Sequence, residues 1–266
     1  MSSPPDLPPR LLPIVEEAAR EAGALALRSF RLGGKTTARH WNKAGNSPVT
    51  EADLAVDALL KERLSAALPE AAWLSEETAD DPARLGRRLV WIVDPIDGTR
   101  AFLTGHADWS VSIGLVTEGR PVLGVVHAPS LRVLYSASRG GGARRNGTTI
   151  KGPAATGLAG ARTAGPKPLM DVLARRSGSL NAIPKVPSLA LRLARVAEGS
   201  IDVGLVSANA HDWDLAAADL LLEEAGARLS DLRGGPPRYN QPEPIHAELI
   251  ATSDRLHPDL VAAMGA

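Results

Sequence analysis

The spacing of apolar residues predicts a helix close to the start of the chain. From Leu11 onward, apolar side chains recur every three or four positions, as they do on one face of an α-helix. These positions are Leu11, Ile14, Val15, Ala18, Ala22 and Leu25. Pro13 falls in the predicted first turn, where its missing N–H costs little. The proline-rich residues 1–10 are expected to form a flexible tail.

A second helix is predicted from Glu51 to about Leu68. Its inward-facing positions are expected to be Leu54, Ala55, Ala58 and Leu59. The apolar run 89–93 then predicts a buried strand that ends at Asp94-Pro95.

The rest of the chain predicts a mixture of strands and helices. Further strands are expected at 111–116, 122–127 and 133–138, separated by turn-forming residues. Later segments alternate, with helices at about 188–198 and 214–225 and strands at about 201–206 and 249–252. This order predicts a layered α/β fold with mixed and antiparallel sheets. We expect two packed subdomains, 11–152 and 153–266, with their junction in the Gly- and Arg-rich segment 139–166.

The composition excludes several classes of protein. The 266 residues contain 30 basic and 30 acidic side chains, so no basic surface is predicted for a nucleic acid polymer. Without cysteine there are no disulfides, zinc–thiolate sites or thiol nucleophiles. No apolar run approaches the ~18 residues typical of a membrane span, and the start lacks the apolar core of a signal peptide. We therefore expect a cytoplasmic protein without a membrane partner.

The segment Asp94–Thr99 carries the clearest chemical signal. The predicted strand delivers two carboxylates, Asp94 and Asp97, and oxygen ligands of this kind suit Mg²⁺ or Mn²⁺. Gly98 permits a close backbone approach, and Thr99 can begin a helix whose free N–H groups hold a phosphate. One loop could thus present metal ligands together with a phosphate site.

A structural interpretation competes with this one. Asp, Pro and Gly are all turn formers, so the segment alone could be a turn after a strand. Glu76 follows another predicted strand end, and Asp214 begins an alanine-rich helix, where it could equally be an N-cap. The joint occurrence of the three segments favours an acidic metal site.

Four segments together resemble the signature motifs of the inositol monophosphatase superfamily. They are Ser47–Asp53, Leu74–Glu77, Asp94–Thr99 and Trp213–Ala217, in the family's order. The resemblance covers nearly the whole chain. It implies an αβαβα sugar-phosphatase fold and a lithium-sensitive, magnesium-dependent phosphomonoesterase with two or three ions in each active site, for which Mn²⁺ can substitute.

The resemblance also implies roles for the acidic residues. Glu76, Asp94 and the carbonyl of Ile96 would hold one metal ion, and Asp94, Asp97 and Asp214 would hold a second. Two metal ions can clamp the attacking and leaving oxygens of a phosphoryl transfer.

Two further pairs complete the implied site. Asp53 and Thr99 would position and deprotonate the attacking water, and a carboxylate–hydroxyl pair is suited to accept that proton. The amides of Gly98 and Thr99 would receive the phosphate.

The substrate is less well defined than the reaction. Ser207 stands where inositol-hydrolysing relatives carry a Glu, so we favour 3′-phosphoadenosine 5′-phosphate, as in the bacterial 3′(2′),5′-bisphosphate nucleotidase branch. Lys167, expected on a stiff turn, is the first candidate for the second phosphate, and the alternatives are Arg162 and Arg192. His211 is expected to form a wall of the pocket.

Other functions stay open at this point. Inositol 1-phosphate and histidinol phosphate are alternative small phosphorylated substrates, and a homodimer is compatible with the sequence. A haloacid-dehalogenase-type phosphatase is disfavoured, because its nucleophile motif is Asp-x-Asp near the start of the chain. A catalytically silent regulatory protein on the same fold is the non-enzyme alternative.

Overall fold

The computed structural model describes residues 7–43 and 47–265. The helices are α1 (Leu7–Leu27), α2 (Glu51–Ala67), α3 (Thr99–Thr104), α4 (Lys167–Ser177), α5 (Leu189–Ala197), α6 (Asp212–Glu224) and α7 (His257–Met264). The strands are β1 (His40–Asn42), β2 (Pro48–Thr50), β3 (Ala72–Ser75), β4 (Leu89–Asp97), β5 (Ser110–Thr117), β6 (Arg120–Ala128), β7 (Val133–Ser138), β8 (Ala143–Arg145), β9 (Thr148–Thr149), β10 (Arg162–Ala164), β11 (Asn181–Ala182), β12 (Val203–Val206), β13 (Ala210–His211), β14 (Ala227–Asp231), β15 (Ile245–His246) and β16 (Leu249–Ser253). Two 3₁₀ helices lie at Pro82–Gly86 and Pro129–Leu131.

The elements stack in five layers. Helices α1 and α2 pack on one face of a seven-stranded sheet, and α5 and α6 lie between that sheet and a five-stranded one. Helices α4 and α7 cover the outer face of the second sheet. The predicted αβαβα arrangement is therefore confirmed.

Both large sheets are mixed, as predicted. The seven-stranded sheet has the order β3-β4-β5-β6-β7-β8-β9, and only the β3–β4 pair is parallel. The five-stranded sheet has the order β11-β10-β12-β16-β14, with β10 parallel to both of its neighbours. Strand β9 ends at Thr149 and β10 begins at Arg162, but the division of the chain at 152/153 stays a prediction.

Helix α6 packs closely against the larger sheet, over two glycines. Gly114 and Gly124 face each other across β5 and β6, directly beneath the alanines of α6. A Cβ atom on Gly124 would lie 2.4 Å from the carbonyl oxygen of Ala217, and one on Gly114 would lie 3.1 Å from the Cβ of Ala216. The two glycines therefore set the depth of α6, whose first turn carries Asp214.

The start of α1 differs from the prediction. The helix begins at Leu7, so residues 7–10 are helical rather than part of a tail, while residues 1–6 lie outside the described part of the chain. Pro13 consequently lies inside the helix and not in its first turn. Ile14 is 47% exposed, so it does not belong to the buried face that Leu11 and Val15 help to form.

The predicted inward face of α2 was wrong. Leu54, Ala55 and Ala58 are exposed and Leu59 is half-buried. The buried positions are Ala52, Asp53, Val56, Asp57, Leu60 and Leu64. Two buried acids interrupt the apolar stripe, which explains why apolar periodicity selected the wrong face.

The end of strand β4 and the number of helices also differ from the prediction. Strand β4 continues through Pro95 to Asp97, with a register shift between Asp94 and Asp97, so Pro95 does not end it. Helices α4 and α7 were not predicted.

Within the described residues, no helix combines the length and the apolar character needed to cross a membrane.

We predict that Gly124→Ala destabilises the protein. Its Cβ would meet backbone atoms of α6, which cannot rotate away, and overpacking of this kind costs about 1–3 kcal/mol. Urea unfolding in the presence of a chelator measures the loss. Gly157→Ala is the control, because no heavy atom lies within 4 Å of its added Cβ. Equal unfolding midpoints for the two variants would show that α6 is free to move.

Candidate metal centre and active site

Three carboxylates converge where β4 ends and α6 begins. Asp94 and Asp97 come from the irregular end of β4, and Asp214 comes from the first turn of α6. One oxygen of each lies within 4.8 Å of the others. Asp94 is 1% exposed and Asp97 is 6% exposed, so the predicted acidic segments meet in a nearly buried cluster.

Burial and mutual repulsion disfavour the ionised form of these acids. Burial is the main cause that raises the pKa of Asp94 and Asp214 well above the ordinary value, and the neighbouring carboxylates raise them further. Burial also raises the pKa of Asp97 to about 6, against the opposing effect of its hydrogen bonds. The cluster thus requires a compensating positive charge to be fully ionised.

The start of α5 holds Asp97 in place. The hydroxyl of Ser188, the N-cap of α5, donates to Oδ2 of Asp97. The backbone N–H of Ala190 donates to the same oxygen over 2.7 Å, and that of Leu189 donates to Oδ1 over 3.2 Å. These donors suit a carboxylate because a helix N-terminus carries partial positive charge. This partnership could not be predicted from the sequence, because Ser188 and Asp97 lie 91 positions apart.

The other two acids are fixed by local backbone bonds. The N–H of Ile96 donates to Oδ1 of Asp94 over 3.0 Å, and the N–H of His211 donates to Oδ2 of Asp214 over 2.7 Å. His211 is the N-cap of α6, so Asp214 is not the cap itself but its partner three positions on. Each acid therefore retains an oxygen for another ligand.

Glu76 faces the same cleft and is paired with a lysine. The Lys43 ammonium lies 3.1 Å from Oε1 of Glu76 and 2.8 Å from Oε1 of Glu77. Burial lowers the pKa of Lys43, but its bonds to the two glutamates outweigh this effect and leave the pKa raised. Lys43 had no signal in the sequence, because the contact joins positions 33 residues apart.

Asp53 and Thr99 lie together beside the cluster. The Thr99 hydroxyl is 3.4 Å from Oδ1 of Asp53 and 3.1 Å from the carbonyl of Ile96. The N–H of Thr50 donates to Oδ2 of Asp53 over 2.8 Å, which closes the capping box of α2. Burial is the main cause that raises the pKa of Asp53 to about 7.

Gly98 is the residue that turns the chain from β4 into α3. Its φ of 91° lies in the left-handed region, which glycine adopts without strain. A Cβ at this position would also lie 3.3 Å from the N atom of Ser188. The sequence prediction that Thr99 begins a helix is confirmed.

The acids open into a cleft of about 370 Å³. It is lined by Ser47, Pro48, Glu76, Asp94, Asp97, Gly98, Thr99, Arg100, Lys185, Pro187 and Asp214. Two cations on its wall, Arg100 and Lys185, were not predicted. Ser207 is exposed beyond the end of β12, and the ring of His211 stacks on Trp213 with centroids 4.5 Å apart.

The candidates for a second phosphate contact differ in their surroundings. Lys167 is not on a stiff turn, because it begins α4, is 85% exposed and pairs with Asp171 over 2.9 Å. Arg162 is paired with Asp202 over 2.7 Å. Arg192 is different: its Nε is buried, and the described residues offer it no hydrogen-bond partner.

The electrostatics of Arg192 connect it to the acidic centre. Burial lowers its pKa, while the charges of Asp97 and Asp214 act in the opposite direction. It therefore lies within electrostatic reach of two carboxylates of the cluster.

The donor set fits hard divalent cations. All of the converging side-chain ligands are carboxylate oxygens, which Mg²⁺ and Mn²⁺ prefer. The Lys43 ammonium on Glu76 shows that this side of the centre already binds positive charge.

The chain belongs to the inositol monophosphatase family, whose model matches residues 9–265. It is 34% identical to the 3′(2′),5′-bisphosphate nucleotidase CysQ of Aggregatibacter actinomycetemcomitans, over 90% of this chain and 91% of that protein. It is 32% identical to a histidinol-phosphatase of Chlorobaculum parvum, over 96% of both chains.

A solved structure supports the same assignment. The extragenic suppressor protein suhB of Bartonella henselae superposes with a TM-score of 0.82 and 28% identity, covering 95% of this chain and 97% of that one. The resemblance proposed from the four motifs is confirmed, including the likeness to the bisphosphate nucleotidase branch. The chain is a phosphatase of this family, and the nucleotidase and histidinol-phosphatase relatives are named for different substrates.

We predict that Asp94→Asn abolishes turnover without unfolding the protein. Loss of the ligand charge should reduce activity by at least about 100-fold. Changing a residue that only hydrogen-bonds to a metal ligand already costs about 10–100-fold. In chelator the variant should melt at or above the temperature of the parent, because one repelling carboxylate is gone. Added Mg²⁺ should raise the melting temperature of the parent and have less effect on the variant.

Asp171→Asn provides the matched control. Its side chain on α4 is 48% exposed and pairs only with Lys167 among the bonds described, so the substitution should change neither activity nor the response to Mg²⁺. Near-parental turnover of Asp94→Asn at saturating Mg²⁺ would contradict the role of Asp94.

Proposed function

We propose that this protein is a Mg²⁺-dependent phosphomonoesterase that hydrolyses a small phosphorylated metabolite with a metal-activated water. The observation that carries the proposal is the convergence of Asp94, Asp97 and Asp214 within 4.8 Å, beside the Asp53–Thr99 pair. A cytoplasmic location and a homodimeric state stay predictions.

The family resemblance supplies the ligand sets in the proposal. Glu76, Asp94 and the carbonyl of Ile96 would hold one ion, and Asp94, Asp97 and Asp214 a second, while a third, weaker site would lie beside Asp53. When bound there, Mg²⁺ lowers the pKa of a coordinated water and neutralises charge that develops on the phosphoryl group. Mn²⁺ is expected to substitute.

Asp53 and Thr99 form the proposed proton acceptor. Thr99 can accept the proton of the attacking water while its own hydroxyl proton passes to the nearby Oδ1 of Asp53. The other oxygen of Asp53 is already occupied by Thr50, which fixes the direction of Oδ1. Burial raises the pKa of Asp53 to about 7, and a cation bound nearby would favour the ionised form that accepts the proton.

The phosphate is expected to lie against Gly98 and Thr99. Backbone N–H groups at the start of α3 can donate to its oxygens. Arg100 and Lys185, which line the cleft, add positive charge at its wall. Ser207 and His211 remain proposed contacts for the rest of the substrate, at the edge of the site.

We favour a bisphosphorylated nucleoside such as 3′-phosphoadenosine 5′-phosphate as the substrate. Ser207 in place of Glu removes the carboxylate expected for an inositol ring, and the relative at 34% identity carries a bisphosphate nucleotidase name. Arg192, which lies within electrostatic reach of Asp97 and Asp214, replaces Lys167 as our first candidate for the second phosphate. Histidinol phosphate, supported by the relative at 32% identity, and inositol 1-phosphate are the alternatives.

Release of inorganic phosphate with and without Mg²⁺ tests the reaction class. We expect turnover of at least one of the three named substrates in Mg²⁺ and none in excess chelator, because the proposed reaction needs an ion held by the three converging carboxylates. Full activity in chelator would remove the metal mechanism. No activity on any phosphomonoester would instead favour the silent regulatory alternative.

The ratio of kcat/KM for 3′-phosphoadenosine 5′-phosphate over inositol 1-phosphate tests the substrate. We expect the parent to favour the bisphosphate. Arg192→Gln should lower the ratio by about 10–100-fold, since a hydrogen bond to a charged group contributes about 1.5–3 kcal/mol.

Lys167→Ala is the control for this comparison. Its ammonium is exposed and paired with Asp171, so we expect an unchanged ratio. A parent that prefers inositol 1-phosphate would overturn the proposed substrate. An unchanged ratio in Arg192→Gln would remove only the role of Arg192.

A further inference from the structure

The first residue of α6 is a buried carboxylate that the proposed reaction does not use. Asp212 is 0% exposed and stands two positions before Asp214. The N–H of Asn240 donates to its Oδ2 over 2.7 Å, and Nε2 of His246 donates to its Oδ1 over 2.7 Å. Both oxygens therefore accept from the segment 239–246, which runs past the first turn of α6.

Backbone bonds reinforce the same contact. Strand β15 pairs with β13, which leads directly into α6, with Ala210 opposite His246. The N–H of Asp212 donates to the carbonyl of Pro244 over 3.0 Å, and the N–H of Asn209 donates to that of His246 over 2.9 Å. The orientation of the helix start, and with it the His211 N–H that holds Asp214, depends on this segment.

A buried arginine extends the connection to the loop that follows Glu76. Arg84 is 1% exposed, and its guanidinium makes two bonds to the carboxylate of Asp80, over 2.6 and 2.9 Å. Its Nη1 also donates to Oδ1 of Asn240 over 2.7 Å. Asp80 lies four residues after Glu76. Hydrogen bonds thus run without interruption from the Glu76 loop, through Arg84 and Asn240, to Asp212.

We propose that Asp212 is a positioning residue for the metal centre, which holds the first turn of α6 so that Asp214 points towards Asp94 and Asp97. The inference rests on the proposed function of this centre. Carboxylates that converge this closely repel each other, so the segments that carry them need an external clamp. Asp212 supplies it on the α6 side without touching the metal or the substrate.

The chain offers a matched control on the same helix. Asp219 lies seven residues after Asp212, hence on the same face of α6, and is 7% exposed. It accepts the hydroxyl of Tyr239 over 3.0 Å, so it anchors the same segment. The two acids differ in their distance along the helix from Asp214. A general loss of stability should affect both variants, whereas a positioning role belongs to Asp212 alone.

The test measures Mn²⁺ binding directly, from the electron paramagnetic resonance signal of free Mn²⁺, on the full chain. We expect Asp212→Ala to weaken binding by about 10–100-fold, as other outer-shell changes do, and Asp219→Ala to leave it within about twofold. Melting temperatures in chelator report the structural cost, which should be similar for both. Asp212→Asn should recover most of the affinity, because its amide retains an acceptor for Asn240 and can donate to the other tautomer of His246.

The Mn²⁺ affinities of these variants test whether Asp212 positions the metal centre. Equal Mn²⁺ affinities for the two alanine variants, or no recovery in Asp212→Asn, would overturn it while leaving the metal centre in place. If Asp212→Ala does not fold, His246→Ala carries the test, since it removes one bond to Asp212 and should weaken Mn²⁺ binding several-fold. A parent that binds no Mn²⁺ and releases no phosphate would overturn the proposed function together with the inference.

Discussion

Repulsion among buried carboxylates is the constraint on which the rest of this structure depends. Asp94, Asp97 and Asp214 come from two elements that are distant in the sequence, yet their oxygens lie within 4.8 Å of one another. Burial alone already raises their pKa values, and proximity raises them further. Such a cluster forms only if the surrounding bonds hold each acid independently. The α5 N-terminus holds Asp97, and backbone N–H groups hold Asp94 and Asp214.

The depth of α6 is the second requirement, because Asp214 reaches the cluster only if its helix lies close to the sheet. The paired glycines of β5 and β6 permit that approach, and the alanines above them complete it. These small residues contribute little apolar surface, and the chain has few aromatics to compensate. The packing between the two sheets thus serves the position of the site as well as the stability of the core.

The convergence of the acidic side chains could be predicted from the sequence because they stand in short contiguous motifs. The layered fold and the central strands followed from apolar runs. The inward face of α2 could not, because Asp53 and Asp57 occupy buried positions that apolar periodicity treats as polar. The roles of Lys43, Ser188 and Arg84 could not be predicted either, since each acts through a contact that joins distant positions. The acidic motifs were therefore predictable, whereas the hydrogen bonds that hold these acids in place could be identified only from the structure.

Lys43 contributes positive charge to one side of the acidic centre. Its ammonium lies on Glu76 and Glu77, where it offsets two carboxylates on one side of the cleft. Arg192 lies within electrostatic reach of Asp97 and Asp214, and its Nε has no hydrogen-bond partner among the residues described. Lys43 is thus bound by two carboxylates, whereas the Nε of Arg192 has no acceptor among the described residues. A buried donor without an acceptor is costly, so Arg192 rather than Lys43 is the cation that we propose for a further anionic group of the substrate.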